Sequence, residues 1–277
     1  MSEDSPYQAI DSDDKQQPLY IIKTGGNVID DEDSLHSFLE SFSAIQGKKI
    51  LVHGGGKIAT SIGDKLGIEP NYIDGRRITN DATINLVTMV YAGLINKKIV
   101  AALQSLQCNA IGLTGADANV LPATKRPVKS IDYGWVGDMQ PGAINPVKWQ
   151  LFLNNGLVPV VASLTHDGQG HILNTNADTI AAVLSISLSK LYHVKLVYCF
   201  EKSGVLENVT DNNSFLPQLN AKTYYELKEN KKLFAGILPK IDNAFDAVNN
   251  GVQEVTIGNS NVLLQLIKGE TGTKIIS

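Results

Sequence analysis

Leu19-Tyr20-Ile21-Ile22-Lys23-Thr24-Gly25-Gly26 and Ile50-Leu51-Val52-His53-Gly54-Gly55-Gly56-Lys57 decide the fold. Each is a short apolar run that stops at glycines. Neither run alternates polar with apolar residues, the pattern of strands covered on both faces. Glycine lets backbone approach a ligand and leaves its N–H groups free for an anion. A helix that starts at such a loop adds the positive end of its dipole. Two loops of this kind, one carrying Lys23, suggest a site for two anionic reactants.

Working outward, further strands are expected at 109–114, 157–163, 194–200 and 253–258. Helix-period segments lie between them, at 33–46, 56–67, 80–107, 145–155, 176–190, 221–230, 239–250 and 260–267. Asp33, Thr79 or Asn80, Asn145 and Asn176 are suitable caps. Alternating strands and helices predict an α/β protein, a mainly parallel sheet with helices on both faces. Residues 122–140 break the rhythm and read as an exposed β-hairpin or lid, with Pro122, Lys125, Arg126, Pro127, Tyr133 and Trp135. The 80–107 helix has apolar residues on more than one face, so it is either central or covered by a second subunit. A homodimer and simple core packing both explain it.

Composition bounds the partners. The chain has 277 residues, 43% hydrophobic, with a formal net charge of −4. That charge supplies no basic face for nucleic acid. No continuous apolar run approaches roughly 18 residues, so no membrane span is expected. Cys108 and Cys199 have no metal-type spacing and read as core thiols in a reducing, cytoplasmic setting. Residues 1–18 carry five acids and one lysine and read as a mobile tail rather than a targeting peptide.

Each motif has a plain reading beside a chemical one. Gly54-x-Gly56-x-x-Ala59 fits the loose dinucleotide fingerprint, with Asp74 about twenty residues on. That makes an NAD-binding oxidoreductase one alternative; a tight turn and an anion cradle are the others. Gly56-Lys57-Ile58 lacks the hydroxyl of a Walker A loop. Lys23 could be a strand-end lysine reaching water, but next to Thr-Gly-Gly it suits a moving phosphoryl group. Arg77, after a glycine turn, could grip a carboxylate through its guanidinium fork. Asn176 and Asp178 could simply cap a helix; Asn174 exceeds what a cap needs. Lys240, beside Pro239, opens a helix, where a lysine is electrostatically disfavoured. Such a local violation marks a functional residue.

In order, Lys23-x-Gly25-Gly26, His53-Gly54-Gly55-Gly56, Gly75-x-Arg77, Asn174-x-Asn176-Ala177-Asp178 and Gly236-x-x-x-Lys240 resemble the N-acetylglutamate kinases of the amino acid kinase superfamily. Each motif is weak alone; the ordered set, spanning Leu19 to Ile276, is specific. The resemblance implies an open three-layer αβα sandwich. Residues 19–175 would bind the acylated amino acid and 176–277 would bind ATP. It implies that Lys23 and Lys240 hold the transferring phosphoryl group, that Asp178 organises both, and that Gly25 and Gly26 offer amides to the phosphates. Gly54, Gly55, Arg77 and Asn174 would contact the substrate, with Mg2+ carried by ATP rather than by protein ligands. Gly272-Thr273-Lys274-Ile275 resembles the family's C-terminal strand.

The chain departs from the family at Phe200-Glu201, where a hydroxyl residue and Asp are usual before Gly204. Glu201 and Gly204 are carried over as nucleotide-binding positions with that difference. Gln265 stands where arginine-regulated relatives tend to have Glu. The resemblance leaves N-succinylglutamate as an alternative substrate, and carbamate, glutamate and uridylate kinases as neighbouring possibilities.

Overall fold

β1 (Pro18–Thr24), β2 (Lys48–His53), β3 (Ala110–Leu113), β4 (Val158–Ala162), β5 (His193–Phe200), β6 (Gln218–Leu219), β7 (Glu254–Asn259) and β8 (Thr273–Ile275) form one sheet. Its order is β6-β8-β7-β5-β1-β2-β4-β3. This computed structural model describes residues 18–73, 76–208, 210–230, 233 and 236–276. The acidic tail, apart from Pro18, and Asp74-Gly75 lie outside the described residues. The pairings from β3 through β7 are parallel, whereas β8 runs antiparallel to β7. β6 pairs parallel with β8, so the reversal is confined to one edge. The six strands read from the sequence are present with ends shifted by a residue or so; the two-residue β6 carries too little pattern to be read.

Side chains of β1 alternate between two cores, as a pleated strand requires. Leu19 and Ile21 enter one core and Ile22 the other. The first core packs under α4 (Pro146–Asn154), α5 (Ala177–Leu188), α6 (Ala221–Glu229) and α7 (Leu238–Asn249), and includes Trp149, Ile180, Leu184 and Ile241. The second packs under α1 (Glu32–Ser43), α2 (Gly56–Lys65), α3 (Asp81–Ser105) and α8 (Leu263–Lys268), with Phe42, Leu86, Ile99 and Leu263. This is the three-layer αβα sandwich expected. The sheet is continuous between residues 19–175 and 176–277, because β1 pairs along its whole length with β5.

α3 is capped by Asn80, whose side chain accepts from the Thr83 amide; α1 begins one residue earlier than read, capped by Asp31 rather than Asp33. Within α3, Thr88–Ile95 forms a π-helical stretch, and the Asn96 amide donates to the Tyr91 carbonyl. By length and composition this 25-residue helix could cross a bilayer, with a mean hydropathy of 1.5 over its apolar window. Here it packs on the sheet, burying Leu86, Val87, Val90, Ile95, Ile99 and Leu103 while Met89 and Leu94 stay exposed. The 122–140 segment does contain a hairpin, Thr124–Lys125 against Gly137–Asp138. It is not wholly exposed, since Val136 and Met139 are buried. Both cysteines are buried free thiols.

The register brings the C-terminal ends of neighbouring strands together: Thr24 lies opposite both His53 and Cys199. Loops leaving that edge therefore meet, at the place where open parallel sheets accept ligands. Because one sheet serves both halves, Ile21→Ala should lower stability by about 2–5 kcal/mol in a single urea transition followed by far-UV circular dichroism. Two separate transitions would show that the halves unfold independently.

Candidate functional site

Asp178 sits in the first turn of α5, where Asn176 caps the helix by accepting from the Asp178 and Thr179 amides (2.7 and 3.3 Å). The cap and the helix dipole both favour a carboxylate there. Lys240 enters from the first turn of α7, behind Pro239, and donates to Asp178 Oδ2 (2.7 Å). Lys23 comes from the end of β1 and forms an ion pair with Oδ1 at 2.8 Å; this contact lacks hydrogen-bond alignment. Three elements distant in sequence thus converge on one carboxylate. Asp246, on α7, and Asp178 both bear on Tyr198, whose hydroxyl donates to the Asp178 carbonyl (3.1 Å).

Burial alone would raise the Asp178 pKa, but the two ammonium groups override it and hold the carboxyl at about 2. Burial pushes Lys23 below the usual ammonium range; Asp178 opposes that shift and Lys240 reinforces it. The cluster carries two cations against one anion in a place with little water. That surplus is suited to a polyanionic ligand.

The glycine loops flank this cluster. Gly25 caps the short helix Gly26–Ile29, and a Cβ at Gly25 would stand 3.4 Å from the Cys199 carbonyl. The second loop begins α2 at Gly55, whose φ of +155° and closeness to Ile95 (2.2 Å from an added Cβ) admit only glycine. Arg77 is buried with its Nη2 donating to the Gly56 carbonyl (3.0 Å), Thr60 Oγ1 (2.7 Å) and the Tyr72 hydroxyl, while its guanidinium lies over the Tyr72 ring. An open cavity of about 430 Å³ is lined by Gly56, Lys57, Thr60, Ser61, Asp64 and Tyr72. Asn174, at the end of a small hairpin strand, donates to Thr79 Oγ1 (3.1 Å), which itself donates to the Arg77 carbonyl (3.2 Å).

Glu201 follows β5, and its Oε2 accepts from Asn27 (3.0 Å), next to the Gly25-Gly26 loop. Lys57 donates to the same Asn27 side chain, so the two glycine loops and Glu201 are joined. Gly204 is explained locally: an added Cβ would meet Thr273 Oγ1 at 2.5 Å. Asn27, Tyr72 and Asn96 were not singled out from the sequence, and Thr79 was read only as a possible helix cap, a place that Asn80 takes. Among the described residues no group of three or more His, Cys, Asp or Glu is placed to hold a metal.

Two lysines on one buried carboxylate, beside glycine loops at the end of a parallel sheet, suit a phosphotransferase without a P-loop. The amino acid kinase family matches residues 18–259. Acetylglutamate kinase of Cytophaga hutchinsonii is 52% identical over 264 residues, covering 94% of this chain and 99% of that one. Acetylglutamate kinase of Bacteroides fragilis is 47% identical over 260 residues, covering 94% and 97%. Carbamate kinase of Giardia lamblia bound to AMP-PNP shares the fold, with a TM-score of 0.67, 15% identity and coverage of 95% and 99%. The chain belongs to the amino acid kinase family, among the acetylglutamate kinases. The dinucleotide reading of Gly54–Ala59 is thereby withdrawn; the loop follows a strand already flanked by β1 and β4.

Replacing Asp178 by Asn leaves the buried Lys23 and the partly buried Lys240 without a counter-ion. The expected cost at pH 7 is about 3–5 kcal/mol, read by urea denaturation. Raising the pH toward 10 should recover part of it. Folded Lys23 loses its proton before an unfolded lysine does, so the unfolded state binds more protons and stability rises with pH. A variant as stable as the parent at pH 7 would refute the electrostatic account.

Proposed function

We propose that this chain transfers the γ-phosphoryl group of ATP to the side-chain carboxylate of N-acetyl-L-glutamate, in the second step of arginine biosynthesis. The observation that carries the reading is the pairing of Lys23 and Lys240 on Asp178, beside two glycine loops at the same sheet edge. Family membership supplies the substrate class.

The acceptor carboxylate has an intrinsic pKa of about 4.3 and is ionised at neutral pH. No general base is needed. A carboxylate oxygen forms a bond to the γ-phosphorus as the bond to the bridging oxygen of ADP breaks; the products are an acyl phosphate and ADP. The obstacle is repulsion between two anions. It amounts to about 1 kcal/mol per charge pair at 4 Å in water and several times more in a drier site. Lys23 and Lys240 offset it at the transferring group, while Asp178 keeps both oriented and charged. Gly25 and Gly26 offer amides to the phosphates, and Gly54, Gly55, Arg77 and Asn174 hold the acceptor. Glu201 and Gly204 border the nucleotide.

Mg2+ would travel on the nucleotide phosphates and neutralise part of their charge; both Asp178 oxygens already face ammonium groups. The exposed Met89 and Leu94 side of α3 supports a homodimer, and two buried thiols fit the cytoplasm. In this reading 19–175 is the acceptor half and 176–277 the nucleotide half.

A coupled ADP-release assay with MgATP tests the reaction. Turnover is expected with N-acetyl-L-glutamate and not with free glutamate or carbamate; the N-succinyl compound decides the acyl group. Lys240→Ala should lower kcat by about 10²–10³-fold with little change in melting temperature. Arg77→Ala should raise KM for acetylglutamate by about tenfold or more and leave KM for ATP unchanged. A normal rate in the first variant, or a shifted ATP KM in the second, would reject the assigned roles.

A further inference from the structure

We infer that His53 and Asn96 are positioning residues for the acceptor, acting by fixing the peptide plane between Gly54 and Gly55. The inference rests on the proposed assignment of these amides to the acceptor.

His53 is fully buried at the end of β2. Its Nδ1 lies 2.8 Å from the Gly54 carbonyl, and its Nε2 lies 3.0 Å from Asn96 Nδ2. The same Asn96 nitrogen is 2.9 Å from the Val160 carbonyl. A carbonyl only accepts, so the Asn96 nitrogen is the donor to both partners. Nε2 of His53 therefore accepts, and Nδ1 carries the proton that goes to Gly54. Burial lowers the ring pKa to about 4, which keeps it neutral in this tautomer at working pH.

The consequence for the loop is geometric. In a trans peptide the carbonyl and the following N–H point in opposite directions. With the Gly54 carbonyl drawn inward to His53, the Gly55 N–H faces the other way. Among the described residues that N–H has no hydrogen-bond partner. A buried amide without a partner calls for a ligand acceptor.

α3 is built to hold this arrangement. Its π-helical turn brings Tyr91 and Ile95 against Gly55 and aims Asn96 at His53. Gly112 on β3 leaves room for it; a Cβ there would sit 1.9 Å from Asn96 Oδ1.

The experiment has two arms. Protein labelled with glycine-15N is titrated with N-acetyl-L-glutamate and, separately, with AMP-PNP. The Gly55 amide resonance is expected to move with acetylglutamate. If it follows only AMP-PNP, or neither, the acceptor assignment fails and the inference falls with it. The second arm measures affinity by calorimetry. His53→Leu should weaken acetylglutamate binding about tenfold or more and change AMP-PNP binding less than twofold. His53→Asn, whose amide nitrogen overlays the ring Nδ1, should restore most of it. Gly112→Ala touches no ligand but displaces Asn96, and should also weaken acetylglutamate. His53→Asn and Gly112→Ala carry the test should the leucine variant fail to fold. With Gly55 responding, unchanged affinity in Gly112→Ala and His53→Leu, or equal loss in His53→Leu and His53→Asn, would overturn the inference.

Discussion

The whole arrangement turns on one carboxylate with an ammonium group on each oxygen. Asp178 is nearly inaccessible, and so is Lys23. Desolvating these ions is costly unless they neutralise one another. Their geometry therefore dictates that β1, the start of α5 and the start of α7 meet. The surplus positive charge remains unmatched until an anion arrives. In the folded protein without ligand, helix α5 contributes its cap and dipole to Asp178, and Asp178 opposes the downward push that burial exerts on Lys23.

The parallel sheet explains why one edge hosts all the loops. Successive strands point the same way, so their C-terminal ends align, and the connections leave from that edge. β1 is central and supplies both the buried Lys23 and a glycine turn. β2 lies beside it and supplies the second turn. β5 lies on its other side and leads to Glu201, which touches Asn27 of the first loop. The reversed strand β8 and its partner β6 lie beyond β7 in the strand order, and β8 meets the segment after Glu201, where Thr273 Oγ1 accepts from the Val205 amide (2.8 Å).

Strand positions were legible because Ile21, Leu51, Val160, Leu196 and Val255 lie in dense apolar runs bounded by glycine, proline or polar residues. The charged cluster was legible in part because Lys240 violates the local preference of a helix start, and because Lys23 interrupts an apolar strand end. The contacts at Asn96, Thr79 and Asn27 were not. Their side chains are generic amides and a hydroxyl, and their partners lie far away in sequence: Asn96 meets His53, Thr79 meets Asn174, Asn27 meets Glu201. Only tertiary packing reveals such pairs. The π-helical turn was equally silent, since residues 84–95 are apolar nearly all round and their hydropathy does not distinguish one helical period from another. Gly204 shows the converse: a conspicuous glycine is accounted for by its approach to Thr273.

The unbroken pairing of β1 with β5 has a mechanical meaning. A hinge that swung one half of the molecule as a rigid block would have to tear the ladder from Pro18–His193 to Thr24–Cys199. Drawing the two reactants together must instead come from torsion of the shared sheet and from the loops along its rim. The sheet then behaves as a leaf spring, storing a small deformation across many hydrogen bonds rather than concentrating it at a pivot.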